Sequence, residues 1–474
     1  MSVPSPAVSV SRRRVSPRLL AAVLVFLAIQ STAVASLGTP LLPTVQHDER
    51  VSLAASQWTL TITLLAGAVA TPLMGRLGDG RLRRLTTVGA VAVMLAGCVL
   101  SALPAGFAVF LAGRALQGAG LGLVPLATAV ARDDLPADRS RPAIVLIGVT
   151  TAAGIGIGYP LVGLLAQGLG LYAPFWFAAG LSALALAAAV IALPDSPARP
   201  ARVDVTGAVL LGAGIAGLLL VLAQGPAWGW TSAATLAGAF ASVALLAAWA
   251  GWEQRVRHPL IELRLLGRRP VLAANVTVFL IAVGFYPLMS LAVRFAQTPP
   301  VAGYGLGAPV VVAAALLTPF SLASFAASRL AARAARRTSA EFVVAGSCVL
   351  LIVSMVLFLV ARDSYPGLVV VMALNGLGVG SVYAVNPLQI TGGVPASETG
   401  SAISFYQLVR TVAYAIASAL SATLLVLSTP AGRRFPADDG YSAAALVSIA
   451  VLVAALAVSV LFVMRRPEPG RKPA

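Results

Sequence analysis

The sequence is poor in charged residues, cysteine and histidine. Asp, Glu, Lys and Arg together make up 10% of its 474 residues, whereas soluble domains average about 25%, so a soluble surface is excluded. The two cysteines and two histidines do not cluster with one another, and therefore neither a disulfide framework nor a metal centre is indicated. Acids are also absent from the interior of every long apolar run, which leaves those runs without a carboxylate.

The chain consists mainly of apolar segments that match the thickness of a bilayer, which needs about 20 residues per helix. The fourteen segments are 19–42, 57–74, 85–103, 107–130, 143–169, 173–193, 205–222, 233–252, 271–293, 306–327, 342–361, 367–390, 401–427 and 443–464. Each must be helical, because lipid cannot hydrogen-bond exposed backbone groups. The sequence therefore predicts an all-α integral membrane protein with 14 transmembrane helices.

Basic residues alternate along the chain in a way that fixes its orientation. Of the 33 Lys and Arg residues, 26 fall in every second gap between spans or in the tails, five lie in the opposite gaps, and Arg114 and Arg410 lie inside spans. Loops rich in Lys and Arg stay on the cytoplasmic side. We therefore expect a multi-pass protein of a bacterial plasma membrane with both termini in the cytoplasm. Its net charge of +17 then faces anionic lipid and does not indicate nucleic-acid binding.

The chain also contains an internal repeat. Residues 115–122 in span four resemble 373–380 in span twelve at an offset of 258, and the arginine pattern after span two recurs after span ten at 253. Such parallel repeats are a transporter architecture that binds substrate between the halves. The predicted units are a cytoplasmic tail (1–18), an N-terminal six-helix bundle (19–193), a linker with two additional spans and an amphipathic cytoplasmic segment (194–270), a C-terminal six-helix bundle (271–464) and a cytoplasmic tail (465–474).

Four motifs lie on successive spans in a recognisable order. Residues 75–84 follow G-x-L-x-D-x-x-x-R-R, 114–120 follow R-x-x-Q-G-x-G, 154–163 approximate G-x-x-x-G-P-x-x-G, and 204–230 cover a seventh span that ends in Trp-Gly-Trp. Together they resemble the major facilitator superfamily, in its branch of fourteen-helix drug–proton antiporters. The resemblance covers nearly the whole chain and implies two bundles that alternate access to a central cavity.

The resemblance implies roles for two groups of residues. The loop after span two would act as a cytoplasmic latch for the outward-facing state, and span five would bend to seal the cavity in the inward-facing state. The latch candidates are Gly75, Asp79, Arg83 and Arg84; the bend candidates are Gly154, Gly158, Pro160 and Gly163. From the residues alone, a solvated positive-inside loop and ordinary small-residue packing explain the two groups equally well.

Two charges inside spans indicate a substrate or proton pathway, because such charges are expensive in lipid and usually face a water-filled cavity. Gln117 lies three residues after Arg114, and two tyrosines flank Arg410 by one turn each, so each set shares a helix face. The pathway candidates are Arg114, Gln117, Gln30, Arg410, Tyr406, Tyr414, Asn375 and Asn386. Packing against a neighbouring helix is the structural alternative for each of them.

The sequence departs from the antiporter pattern in ways that concern the cargo. Gln30 stands where that branch carries a span-one Asp, and Tyr159 separates Gly158 from Pro160. With arginines as the only charges inside spans, we expect an exported cargo that is apolar and neutral or anionic. A proton gradient would supply the energy without any cofactor, and a loop acid such as Asp79, a bound water or the cargo would carry the proton.

Several alternatives remain open at this level. Import or uniport by the same fold, a transport-dead sensor and a polytopic membrane enzyme are each compatible with the spans. The enzyme would use Asp133 and Asp134 as a metal-binding pair, but no acid–histidine cluster accompanies them, and a charged loop explains them better. We expect a monomer whose partners are a small-molecule substrate and membrane lipid.

Overall fold

The computed structural model describes residues 16–78, 81–195, 204–256, 263–394, 399–430, 433 and 435–464, and this described part is helical without strands. The helices are α1 (Pro17–Ala35), α2 (Leu42–Asp48), α3 (Leu53–Gly78), α4 (Arg83–Ala102), α5 (Phe107–Ala119), α6 (Leu123–Asp134), α7 (Ala137–Leu169), α8 (Ala173–Ala192), α9 (Val205–Trp228), α10 (Ala233–Glu253), α11 (Leu263–Leu266), α12 (Arg269–Phe285), α13 (Pro287–Gln297), α14 (Val310–Ala315), α15 (Leu317–Arg337), α16 (Ala340–Ala361), α17 (Tyr365–Gly393), α18 (Thr399–Leu427) and α19 (Asp438–Met464), with 3-10 turns at Thr39–Leu41, Gly120–Gly122 and Pro300–Ala302.

Within the described ranges, 12 helical segments are long and apolar enough to cross a membrane. They correspond to twelve of the predicted spans. The other two predicted spans, two and five, coincide with α3 and α7, helices of 26 and 33 residues, which are not among the twelve. The all-helical membrane fold is therefore confirmed, whereas the number 14 stays a prediction.

Short polar side chains begin several of these helices. Asp204 accepts a hydrogen bond from the backbone N–H of Gly207 at 2.9 Å. Ser232 and Ser339 do the same for the residues three positions on, at 3.2 and 3.1 Å. The first N–H groups of a helix have no partner inside it, so these caps satisfy donors that would otherwise be exposed at the membrane surface.

Close backbone contacts repeat between the two halves of the chain. In α5, a Cβ added to Gly118 would meet the carbonyl group of Thr63 in α3; in α17, a Cβ added to Gly376 would meet the carbonyl group of Phe320 in α15. Glycine at both positions lets two helix backbones approach without an intervening side chain. The sequence repeat is thus also a repeat of tertiary contacts.

A hydrogen bond recurs in the same way. The hydroxyl of Ser101 in α4 donates to the carbonyl of Phe110 at 3.2 Å, and the hydroxyl of Ser354 in α16 donates to the carbonyl of Val371 at 3.0 Å. Each bond joins the fourth-span helix of its half to the preceding span. The exact domain boundaries predicted above remain predictions.

The halves meet along two helices of the N-terminal half. Helix α3 packs against α18, and α7 packs against α14 and α15. At the second contact, a Cβ on Gly163 would lie 3.0 Å from the Ala314 side chain and from the Cα of Val311. The inserted helix α9 packs on α3 and α18, while α10 contacts mainly α9 and exposes Phe240.

Candidate functional site

The first arginine inside a span joins three helices of the N-terminal half. Arg114 in α5 is 1% exposed, and its Nε donates to the carbonyl oxygen of Thr59 in α3 at 3.2 Å. Its Nη1 donates to the side-chain oxygen of Gln117. The amide nitrogen of Gln117 in turn donates to the Gly97 carbonyl at 3.2 Å and the Ser101 hydroxyl at 3.3 Å in α4. Arg114 and Gln117 therefore form one network that fixes α5 against α3 and α4.

Neutral groups are the partners that the structure gives Arg114. Its guanidinium carbon lies 6.0 Å from the centre of the Phe175 ring in α8, and its backbone carbonyl accepts from Thr63 at 3.2 Å. None of the ion pairs among the described residues includes it. A buried charge that is held only by dipoles keeps much of its field. That field extends across the interface, because Arg114 interacts electrostatically with Tyr286 of the other half.

Gln30 lies deeper in the same bundle, away from the interface. It is fully buried in α1, and its amide nitrogen donates to the Ser182 hydroxyl in α8 at 2.8 Å and contacts the sulfur of Met94 in α4 at 2.7 Å. Ser182 lies 3.9 Å from the sulfur of Cys98, which interacts electrostatically with Arg114. Gln30 thus joins α1 to α8 and α4 as a helix–helix contact.

The second arginine inside a span lies among tyrosines. Arg410 in α18 has its guanidinium carbon 4.7 Å from the ring centre of Tyr383, 5.9 Å from Tyr414 and 6.0 Å from Tyr406. Its Nε has no hydrogen-bond partner among the described residues, and none of the ion pairs within the described ranges includes it. Cation–π attraction to three ring faces therefore contributes to holding its charge. The sequence placed Tyr406 and Tyr414 here, but not Tyr383, which comes from α17.

These rings belong to a larger aromatic group. Tyr414 stacks on Tyr286, which lies between α12 and α13, with centroids 4.6 Å apart and planes 21° from parallel, and its hydroxyl is hydrogen-bonded to that of Tyr383. Phe285 stands edge-on to Tyr383 and Tyr414 at 6.2 and 6.0 Å. We call Tyr286, Tyr383, Tyr406 and Tyr414 the tyrosine cluster. It is assembled from α17, α18 and the junction of α12 with α13, so a local sequence pattern could not reveal it.

One tyrosine of the N-terminal half reaches this cluster. Tyr159 in α7 packs against the hydrophobic core of the C-terminal half, and it interacts electrostatically with Tyr286. Tyr286 interacts with Arg114 and with Tyr414 as well. Tyr286 is thus stacked on a ring that Arg410 contacts and also lies within electrostatic range of Arg114 and Tyr159 across the interface.

The two candidate asparagines occupy the interior of the C-terminal half. Asn386 donates to the Ala274 carbonyl at 3.3 Å, while its own side-chain oxygen has no partner among the described residues. Asn375 is the repeat counterpart of Gln117, and both of its amide atoms are buried without a partner in the described part of the chain. At the position of Arg114 the second half carries Met372. The two halves thus repeat in backbone contacts but differ in the placement of charge.

Arg83 of the predicted latch is paired with acids of its own bundle. Its Nη1 lies 3.0 Å from a carboxylate oxygen of Asp133, and its Nη2 contacts Asp134, both at the end of α6. The Arg83 side chain is 5% exposed. Sequence reasoning treated the two acids as part of a charged loop, whereas they end a helix that begins beyond the glycine-rich break of span four. The pair ties the start of α4 to the end of α6.

Arg84 and Gly75 of the predicted latch lie in helices α4 and α3. Arg84 donates to the Val190 carbonyl of α8 at 2.8 Å, so it too bonds within the N-terminal bundle. Gly75 lies near the end of α3, and Asp79 lies outside the described residues. The role of this loop in gating stays a prediction.

The span-five candidates lie on one continuous helix. Helix α7 contains both Gly154 and Pro160, and a Cβ on Gly158 would lie 2.5 Å from the hydroxyl of Ser36 at the end of α1. Gly163 faces α14 of the other half, as described above. Glycine at these two positions lets α7 pack closely against both halves of the protein. Whether α7 bends during transport stays a prediction.

Comparison with known proteins places this architecture in one family. Residues 22–418 and 299–474 match the family model of the Major Facilitator Superfamily. The chain is 35% identical over 286 residues to a tetracenomycin C resistance and export protein of Streptomyces glaucescens, covering 58% of this chain and 51% of that protein. It is 29% identical over 421 residues to a probable actinorhodin transporter of Streptomyces coelicolor, covering 85% and 71%. The chain thus spans about half the length of the first relative.

Solved structures show the same fold. An auto-inhibited peptide transporter of the POT family matches with a TM-score of 0.67 and 20% identity, covering 96% of this chain and 99% of that one. The human organic anion transporter MFSD10 matches with a TM-score of 0.62 and 18% identity, covering 94% and 100%. At these identities the likeness concerns the fold alone.

Proposed function

This chain belongs to the major facilitator superfamily and is a multi-pass membrane transporter; from that premise we propose that it exports small, largely apolar compounds that are neutral or anionic. Export proceeds by alternating access between the two halves. The transporter acts as a monomer in a bacterial plasma membrane, with both termini in the cytoplasm, and the proton gradient supplies the energy.

One observation carries the proposed cargo class. Arg114 of the N-terminal half and Arg410 of the C-terminal half lie inside predicted spans, and among the described residues neither forms an ion pair. At an effective dielectric constant of about 20, a cation about 6 Å from one such charge is repelled by about 3 kcal/mol. That energy corresponds to roughly a hundredfold in affinity. A cavity of this kind disfavours cations and favours anions.

The names of the relatives support export. One relative is named for resistance to and export of tetracenomycin C, another as a probable actinorhodin transporter, and a third, 31% identical over 241 residues, as a multidrug resistance protein of Mycobacterium tuberculosis. These names favour efflux of drug-like small molecules over nutrient uptake. They do not fix the cargo of this chain.

Proton coupling requires a group that titrates. An arginine does not lose its proton in a protein, and the carboxylates paired with Arg83 lie at the end of α6, away from the tyrosine cluster. We therefore assign the exchanged proton to one of two groups. Either the cargo releases its proton in the cytoplasm and is carried out as an anion, or a loop acid such as Asp79 carries the proton. In the first case, the negative charge of the cargo couples its export to the proton gradient.

Inverted membrane vesicles test this function. Vesicles that contain the chain, energised to be acidic inside, should accumulate the anion fluorescein in preference to the cation ethidium, and a protonophore should abolish that accumulation. In the double variant Arg114→Gln with Arg410→Gln, the ratio of fluorescein to ethidium accumulation should fall at least tenfold, because both positive charges are removed. Arg333→Gln, an exposed arginine of α15, is the control and should behave as wild type. Preferential accumulation of ethidium by the wild type would contradict the proposal.

A further inference from the structure

We propose that Arg410 and the tyrosine cluster form a subsite for a planar aromatic compound that carries one negative charge, with Tyr159 closing the subsite from the N-terminal half. This inference rests on the proposed function, since it names the part of the cargo that the cavity recognises. It goes further in assigning the recognition to one half and to ring-shaped anions.

The charge of Arg410 is the first step. The three ring faces at 4.7–6.0 Å attract a guanidinium, but such contacts offset only part of the penalty of removing a charge from water. Nε is buried without a partner among the described residues. A carboxylate or phenolate of a ligand would supply the missing negative charge and a charge-assisted hydrogen bond at that nitrogen.

The shape of the cluster is the second step. Tyr286 and Tyr414 lie face to face at 4.6 Å, and Phe285 presents its edge to the same rings. Stacked and edge-on aromatic pairs gain about 0.5–1.5 kcal/mol beyond the area that they bury. A flat polycyclic molecule can extend the stack, whereas a globular hydrocarbon of the same volume cannot. The walls therefore select for planarity, independently of charge.

The hydroxyl groups are the third step. Tyr383 and Tyr414 share one hydrogen bond, which uses one of their two hydroxyl hydrogens. The second hydrogen can be donated to an oxygen of the ligand beside Arg410. The cluster thus offers an anion both a positive charge and a neutral donor on the same side.

Tyr159 connects the subsite to the motion of the halves. It is a residue of α7 that packs against the C-terminal core, and it interacts electrostatically with Tyr286. When the halves rock apart, this contact must open, so the wall that Tyr159 provides exists only in one set of states. Binding of a flat ligand and closure of the halves would therefore favour each other.

Binding to the full-length protein in detergent, measured by isothermal titration calorimetry, tests the inference without requiring transport. The probes are anthraquinone-2-carboxylate, its neutral isostere anthraquinone-2-carboxamide, and the non-planar anion adamantane-1-carboxylate. Wild type should bind the planar anion at least tenfold more tightly than either of the others. Arg410→Gln should lower the affinity for the planar anion at least tenfold and change the affinity for the carboxamide less than threefold. Tyr286→Leu should lower the affinity for both anthraquinones and leave the affinity for the adamantane acid unchanged.

The matched control is Arg294→Gln, which removes a second buried arginine of the C-terminal half, 9% exposed in α13, and should leave all three affinities unchanged. Arg410→Lys keeps the charge and should keep the preference for the anion at reduced affinity. Equal wild-type affinity for the three probes, or an unchanged preference in Arg410→Gln, would overturn the inference. Selective binding without accumulation in vesicles would contradict the proposed function and support the subsite. Accumulation in vesicles without selective binding would support the proposed function and contradict the subsite.

Discussion

Adding one methyl group at each of two glycines tests the contact that repeats between the halves. In Gly118→Ala the new Cβ would overlap the carbonyl of Thr63, whose Cα is 2.9 Å away; in Gly376→Ala it would overlap the carbonyl of Phe320, whose Cα is also 2.9 Å away. The obstructing atoms are backbone, so no side-chain rotation can relieve the overlap. The two helices must separate, and overpacking of this kind costs about 1–3 kcal/mol.

Two other glycines provide matched controls. A Cβ on Gly180 in α8 or on Gly346 in α16 meets nothing within 4 Å, so alanine there should be neutral or stabilise the helix by up to about 1 kcal/mol. Thermal unfolding of the purified protein in detergent is the assay. For domains of 150–250 residues, 1 kcal/mol shifts the midpoint by about 2–4 °C, so we expect a fall of about 2–12 °C in the two test variants.

The outcome also tests the pseudo-symmetry of the fold. Because the two overlaps are nearly the same, Gly118→Ala and Gly376→Ala should lower the midpoint by similar amounts. If the midpoints of both variants equal those of the controls, the two helix pairs do not approach as closely as described. If only one midpoint falls, the two halves do not share this contact, and the repeat seen in the sequence does not extend to it.

Two further changes test contacts at the ends of spans. Arg83→Gln should destabilise the protein by about 2–4 kcal/mol in thermal or denaturant unfolding, because the carboxylate of Asp134, 18% exposed, loses its ion pair with Arg83. Arg81→Gln on the exposed loop should stay within about 0.5 kcal/mol. The hydroxyl of Tyr172 donates to Glu49 at 2.8 Å, and burial with this hydrogen bond raises the pKa of Tyr172 from 10 to about 12. The folded state therefore holds this proton more tightly, so the stabilisation is complete below pH 10 and disappears as the pH rises through 12. Tyr172→Phe should melt below wild type at pH 8 and converge with it near pH 12; parallel curves across that range would refute the argument.

The membrane fold could be predicted from the sequence because its determinants are local. A run of apolar residues must form a helix in lipid wherever it lies in the chain. The breaks within spans could not be predicted in this way. Span nine divides at Tyr286 and Pro287, and span four passes through a 3-10 turn at Gly120–Gly122. Gly and Pro permit such breaks, but packing against neighbouring helices decides which of them occur.

The candidate site was predictable only where its residues share a helix. Arg114 with Gln117, and Arg410 with its flanking tyrosines, follow from spacing within one span. Tyr383 and Tyr286 do not, since they come from α17 and from the junction after α12. Tyr383 meets Arg410, and Tyr286 meets Tyr414, only after the bundle forms. Gln30 bonds to Ser182 of another helix, as a polar residue in a span does where two helices need a hydrogen bond between them, and its place in a substrate pathway stays a prediction.

The departure of span five from the antiporter pattern coincides with its contact between the halves. Gly158 faces Ser36 of the N-terminal half, and Gly163 faces Val311 of the C-terminal half. Five residues rotate a helix by about 500°, which places the two glycines about 140° apart, on faces that point to different halves. Tyr159 lies between them and packs into the C-terminal core. An extra residue in this motif therefore keeps both close helix contacts and adds an aromatic ring at the interface, where a motif with proline directly after glycine would have none.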